Sequence, residues 1–200
     1  MPIREAERPA RRSGRERVLD AAYDLFSREG VRNVGVDTIV ADAGVAKMTL
    51  YRNFASKEQL ALAFLQRREE RWTRDWLQAE VRRRATAPAD RLLAIFDVFG
   101  EWFARDDFEG CTFMTVMLEL TDASDPVRQA SVRHLANIRA FVADLARAAG
   151  IGDGERFARQ WHILMKGSIV AAAEGDREAA SRARELGALL LAGHGLTAGG

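Results

Sequence analysis

The chain reads as all-α. Alternating β-branched runs bounded by turn residues, the mark of strands, are nearly absent. After Pro9 only Pro88 and Pro126 remain, each at the head of an apolar-periodic run, where the fixed φ of proline suits a first helical turn. No proline therefore interrupts a long segment, and apolar residues recur at helical spacing from Val18 almost to the end.

Ser13 with Glu16 is a capping-box pattern that opens the first helix, whose Val18, Leu19, Ala22, Leu25 and Phe26 share one face before Gly30 stops it. Gly35 to Ala43 reads as a short helix ended by Gly44, and Lys47 to Phe54 as another. Ser56 with Gln59 is a second capping box, opening a long helix to about Arg84 that carries Glu70–Arg74 and Glu80–Arg84 at i,i+4 spacing. Pro88–Arg105 is amphipathic and aromatic, and Thr112–Leu120 is short and very apolar. Asp125–Ala149 ends at Gly150. Asp153–Glu174 and Asp176–Ala192 follow, each with an aspartate as expected cap. About nine helices result.

Two hundred residues allow one large domain or two small ones with a real core. A single cysteine excludes an internal disulfide, and no apolar run approaches the roughly 18 residues of a membrane span. With no secretory signal at the arginine-rich start, a cytoplasmic protein is the expectation. The net charge of +1 is unevenly spread: residues 1–57 carry 11 basic and 8 acidic side chains, the remainder 19 and 21. A basic end on a slightly acidic body points that end toward a polyanion. Four segments are expected: a flexible basic arm (1–12), a three-helix unit (13–56), a larger helical unit (57–193) and a flexible tail (194–200).

Residues 35–57 carry the functional signal. Two short helices meet at Ala43-Gly44-Val45, with Val40, Gly44 and Leu50 at helix-turn-helix spacing. Glycine suits the turn because a positive φ meets no Cβ. Ile39, Val40, Val45, Leu50 and Phe54 supply apolar contacts, which leaves Lys47, Met48, Thr49, Tyr51, Arg52 and Asn53 to face outward or sideways. Such groups fit the edges and phosphates of a DNA major groove. On spacing alone, a plain three-helix packing unit accounts for the pattern equally well.

The stretch from Val18 to Leu60 resembles the DNA-binding domain of the TetR (tetracycline-repressor-like) transcriptional regulators. The resemblance lies in Ala21-Ala22 and Leu25-Phe26 before Gly30, Ile39-Val40 before Ala43-Gly44-Val45, Thr49-Leu50-Tyr51, Phe54, and Ser56-Lys57-Glu58 with Leu60. It implies a homodimer on a palindromic duplex operator, with the third helix in the major groove. Lys47, Met48 and Thr49 match base-facing positions, Tyr51 a phosphate contact, and Asn53 a backbone or base contact. Lys57 matches a phosphate-binding lysine at a helix N-terminus, where ammonium and helix dipole both attract an anion. Three residues depart from the family's usual pattern: Gly35 and Ala46 lack the capping hydroxyls common there, and Val40 stands where alanine is common, which implies slightly wider helix packing.

The resemblance also implies a small apolar or amphipathic ligand held between the fourth helix and the rest of the body. Trp102, Phe103, Phe113, Met117, Trp161 and Met165 are the candidate ligand residues, although core packing explains most aromatic positions here. Glu119, if inward, needs a partner. The last two helices are rich in small residues, at Gly167–Ala172 and Ala183–Gly187, and match the pair that forms the family's dimer interface. A repressor released by its ligand is the expected function; an activator or a ligand-independent regulator is the alternative. An enzyme would have to lean on Cys111 with His134 or His162, since no phosphate loop, metal spacing or nucleophile elbow occurs and no cofactor is implied.

Overall fold

The computed structural model describes residues 13–196, so the basic arm at 1–12 and the last four residues of the expected tail lie outside the described residues. Among the described residues there is no strand. The helices are α1 (Gly14–Glu29), α2 (Val36–Asp42), α3 (Lys47–Asn53), α4 (Lys57–Arg68), α5 (Ala79–Arg84), α6 (Pro88–Phe103), α7 (Thr112–Glu119), α8 (Pro126–Ala148), α9 (Gly154–Ala173) and α10 (Ala179–Ala192). A π-helical stretch, Glu69–Gln78, joins α4 to α5, so residues 57–84 are one unbroken helix and the described helices number nine. The chain divides into two compact units, Met1–Phe64 and Leu65–Gly200, with the division falling inside α4.

The first unit is three short helices on a small apolar core. Ser13 caps α1 by accepting a hydrogen bond from the Glu16 N–H, and Ser56 accepts from Gln59 in the same way. Val18, Leu19, Ala22, Leu25 and Phe26 of α1 are buried with Ile39, Leu50 and Phe54. Phe64 closes the far side, edge-on to Tyr23 and Phe26 at 5.5 and 5.4 Å between ring centroids.

In the second unit α8, α9 and α10 pack in succession, α10 lies on α6, and α7 lies on α8. Asp125 caps α8 through two backbone N–H groups and Asp153 caps α9. Asp176 does not cap α10 as expected: the helix starts three residues later, and Asp176 accepts from the Glu178 N–H and pairs with Arg182. The expected Glu70–Arg74 pair is also absent. The π stretch bonds i to i+5, so Arg74 reaches Glu69 at 3.4 Å while Glu70 accepts from Gln66. Where α-helical geometry returns, Glu80–Arg84 forms at 3.3 Å as the spacing predicts.

The small residues of α10 are an internal seam. A Cβ on Gly187 would stand 2.8 Å from Trp161 Cη2 and 3.1 Å from Phe96 Cε2, and Ala180 approaches Gly100 of α6. Ala180 and Ala183 are buried, so the Ala183–Gly187 face belongs to the core of its own chain.

Candidate functional site

The turn between α2 and α3 is held from both sides. Gly44 adopts φ +60°, where an L side chain is strained, and its carbonyl accepts from Arg17 Nη1 of α1 at 3.2 Å. Below α3, Leu50 is fully buried and Phe54 nearly so, with the Arg15 guanidinium over the Phe54 ring. Val40 and Val45 are half-buried. Neither Gly35 nor Ala46 offers a side-chain cap, so α2 and α3 begin with backbone N–H groups that no side chain satisfies.

With its apolar side fixed, α3 turns Lys47, Met48, Tyr51, Arg52 and Asn53 outward. Met48 is 63% exposed, an unusual position for a large apolar side chain and one suited to a thymine methyl. Lys47 is not idle: its Nζ lies 2.7 Å from Oδ1 of Asp37 on α2, which raises its pKa and keeps it charged. Asn53 donates through Nδ2 to the Thr49 carbonyl at 2.8 Å, leaving its oxygen outward. Thr49 is half-buried, and its methyl lies where a Cβ on Gly14 would come within 2.8 Å, so α1 begins flush against α3. Lys57 Nζ donates to the Arg32 carbonyl at 3.3 Å. The six residues named from the sequence thus fall on or beside one short helix, and Arg17, which pins the turn, carries no local signal that sets it apart from its neighbouring arginines.

In the second unit the ligand candidates separate. Trp102 and Phe103 adjoin, 5.5 Å apart, in an aromatic group completed by Trp72 and Trp76 of the π stretch, Phe99, and Phe108 beyond α6. Trp72 Nε1 is buried there without a hydrogen-bond partner. Trp161 belongs to another group, between Phe96 at 5.2 Å and Phe157 at 5.3 Å. Phe113 stacks on His134, Met165 is buried in α9, and Met117 is half-buried in α7. A cleft of about 450 Å³ includes Phe103 with Gly100, Ala172 and Gly175, and none of the other five.

The buried carboxylate of this unit is not one that the sequence marks out. Glu69, not the half-buried Glu119, is 3% exposed. Its Oε1 accepts from Asn137 at 2.7 Å, and its Oε2 lies 2.6 Å from Nδ1 of His134, off the line of a good hydrogen bond. Burial opposes its charge, yet Asn137, His134 and Arg74 together hold its pKa below the ordinary carboxylate value. No signal in Glu69-Glu70-Arg71 distinguishes an inward glutamate; the π stretch aligns Glu69, Thr73 and Leu77 on the buried side. Cys111 is buried, and burial pushes its thiol up, away from the nucleophilic thiolate that an enzyme would use. Among the described residues no helix is long and apolar enough to cross a membrane.

Comparison with known proteins agrees with this geometry. Residues 18–64 match the family of bacterial regulatory proteins of the tetR type, and residues 88–186 match the tetracyclin repressor-like C-terminal domain. The chain is 38% identical over 80 residues to the HTH-type transcriptional regulator Rv1255c of Mycobacterium tuberculosis, covering 39% of this chain and 38% of that protein. It is 30% identical over 118 residues to the HTH-type transcriptional regulator LmrA of Bacillus subtilis, covering 58% and 62%. These matches span from about two fifths to three fifths of the relatives' length. Over the whole fold it is similar to SCO4454, a TetR-family regulator of Streptomyces coelicolor, with a TM-score of 0.81, 29% identity, and coverage of 90% of this chain and 95% of that one. A helix-turn-helix with its polar side outward, followed by a second helical unit of matching type, leads to one conclusion: the chain belongs to the TetR family of helix-turn-helix transcriptional regulators.

Proposed function

We propose that this protein is a homodimeric repressor of the cytoplasm that leaves a palindromic operator when a small apolar or amphipathic molecule enters its second unit. The observation that carries the DNA half is the outward row of Lys47, Met48, Tyr51, Arg52 and Asn53 over buried Leu50 and Phe54. Lys47, Met48 and Thr49 read bases, while Tyr51, Asn53 and Lys57 hold the backbone. Tyr51→Phe and Lys57→Ala weaken binding to operator and scrambled duplexes by similar factors. Lys47→Ala costs about 1–3 kcal/mol on the operator and less on scrambled DNA. Fluorescence anisotropy on both duplexes checks this, and an equal loss for Lys47→Ala would remove it from base reading.

The dimer half rests on α9 and α10. Ile163 and Val170 of α9 and Leu186 and Leu189 of α10 are large, apolar and between 46% and 69% exposed. Such a cluster on two packed helices suits an isologous four-helix contact. Leu189→Arg or Ile163→Arg yields folded monomers by sedimentation, with operator binding lost at concentrations where the unaltered dimer is saturated. Dimers persisting in both variants would place the interface elsewhere.

Trp102, Phe103, Phe113, Met117, Trp161 and Met165 remain the residues proposed to meet the inducer, with Trp72 added for its unpartnered Nε1. Ligand and operator then oppose each other by the same factor in either order of addition. Selecting operator fragments from genomic DNA, then titrating candidate molecules against the complex, tests the release.

A further inference from the structure

Several arginines of the second unit have a carboxylate close by. Arg84 has Glu80 and Glu101, Arg74 has Glu69, Arg105 has Asp107, Arg147 has Asp144, Arg182 has Asp176 and Arg184 has Asp97. The seam between α8 and α9 holds two cations that have none. Arg139 of α8 and Lys166 of α9 are half-buried, and among the described residues neither has an ion-pair or hydrogen-bond partner. His162, one helical turn before Lys166, is 4% exposed with Nδ1 unpartnered.

These three groups feel one another. Burial, then the charges of Lys166 and Arg139, push His162 down to about 3. Burial and Arg139 lower Lys166. The group of opposite tendency that acts on Lys166 is the Cys111 thiol, which burial keeps protonated and which therefore supplies no negative charge. Cys111 is also the N-cap residue of the eight-residue α7, whose first N–H groups carry the positive end of that helix, and Arg68 acts on the same thiol. Two half-buried cations, Arg139 and Lys166, and the buried His162 Nδ1 thus lie along the α8–α9 seam, and none of the three has a carboxylate partner among the described residues. A site so arranged is electrostatically incomplete.

Resting on the ligand-release reading of the second unit, we infer that Arg139, His162 and Lys166, at the start of α7, bind the anionic group of an apolar organic acid. The ligand carboxylate accepts from the guanidinium, the ammonium and His162 Nδ1, each now a charge-assisted or buried hydrogen bond. Its apolar part meets the side chains that flank these residues on the same helices, Met165 on α9 and Ile138 on α8, both buried. The carboxylate thus chooses among ligands that the aromatic surfaces alone would treat alike.

The probes are 2-naphthoate, its neutral isostere 2-naphthamide, and inorganic phosphate, measured by calorimetry and thermal shift on the full chain, with Lys166→Gln and Arg139→Gln beside it. Naphthoate is expected to bind at least tenfold more tightly than naphthamide or phosphate, and either variant to lose that preference while keeping the fold by circular dichroism. Because the variants remove mutual repulsion, their ligand-free melting point holds or rises. Equal binding of naphthoate and naphthamide, phosphate binding as tight as naphthoate, or naphthoate preference surviving in both variants would overturn the inference. Operator titration separates the underlying reading: naphthoate bound without operator release upholds the anion site and rejects induction, while naphthamide releasing operator as well as naphthoate does the reverse.

Discussion

Acidification from pH 7 to about pH 4 will destabilise this protein, and the larger share of the loss will trace to His162. The imidazole is buried against α8 with Lys166 and Arg139 nearby, and its folded pKa falls from 6.5 to about 3. A folded pKa below the unfolded value means that the unfolded chain takes up the proton first. The native state is therefore fully favoured above pH 6.5 and loses ground as pH falls from there toward 3. Over the interval from 6.5 to about 4, one such group removes about 3 kcal/mol, a large part of a typical domain's stability. His134, lowered by burial against the pull of Glu69, acts in the same direction from the same starting pH. Glu69, lowered by Asn137, His134 and Arg74 against its burial, adds its loss only below the ordinary carboxylate value of 4.5. Urea unfolding at stepped pH measures the slope. His162→Asn flattens it between pH 6.5 and 4, leaving the His134 contribution. An unchanged slope in that variant would show that His162 titrates normally in the folded chain.

Gly187→Leu will unfold the second unit at temperatures the native chain withstands. The position has no room: the first added carbon alone meets Trp161 Cη2 at 2.8 Å and Phe96 Cε2 at 3.1 Å. Those rings cannot yield, because Trp161 is fully buried and held between Phe96 and Phe157. Relief requires α10 to move off α6, which opens the seam lined by Ala180 and Ala183. Over-packing of this kind costs about 1–3 kcal/mol, and a leucine at a position without space for a methyl belongs at or above the upper end. Calorimetry should show a melting point lower by roughly 5 °C or more, given a fall of about 2–4 °C per kcal/mol for a chain of this size. Ala192→Leu, at an exposed position on the same helix, leaves it unchanged. Equal melting points for the two variants would mean that the α6–α10 seam is not close-packed.

That seam shows where the sequence could and could not be read. Ala183 and Gly187 were legible as a surface on which another helix sits closely, but composition does not say whether that helix comes from the same chain. The exposed Ile163, Val170, Leu186 and Leu189 look in sequence like any other core positions. The inner and outer sides of α3 were readable because their logic is local: Gly44 permits the turn, Leu50 and Phe54 fix the inner side, and the outer residues follow by default. The capping residues Ser13, Ser56, Asp125 and Asp153 were readable for the same reason. Asp176 misled because an aspartate that opens a turn and one that caps a helix look identical until the chain commits to one path. The surroundings of Glu69, and the meeting of Arg139 with His162 and Lys166, arise from helices distant in sequence, and no window of neighbouring residues contains them.

The stretch from Glu69 to Gln78 has a consequence for how the gene can change length. A helix bonded i to i+5 holds more residues over the same rise than one bonded i to i+4. If one residue is deleted there, the surplus is absorbed: the segment can close into ordinary α-helix while Lys57–Arg68 and Ala79–Arg84 keep their present phase. The same deletion in α8 would turn every later side chain of that helix by about 100° and expose its buried face. A one-residue deletion between residues 69 and 78 is therefore the gentlest length change the long helix can accept.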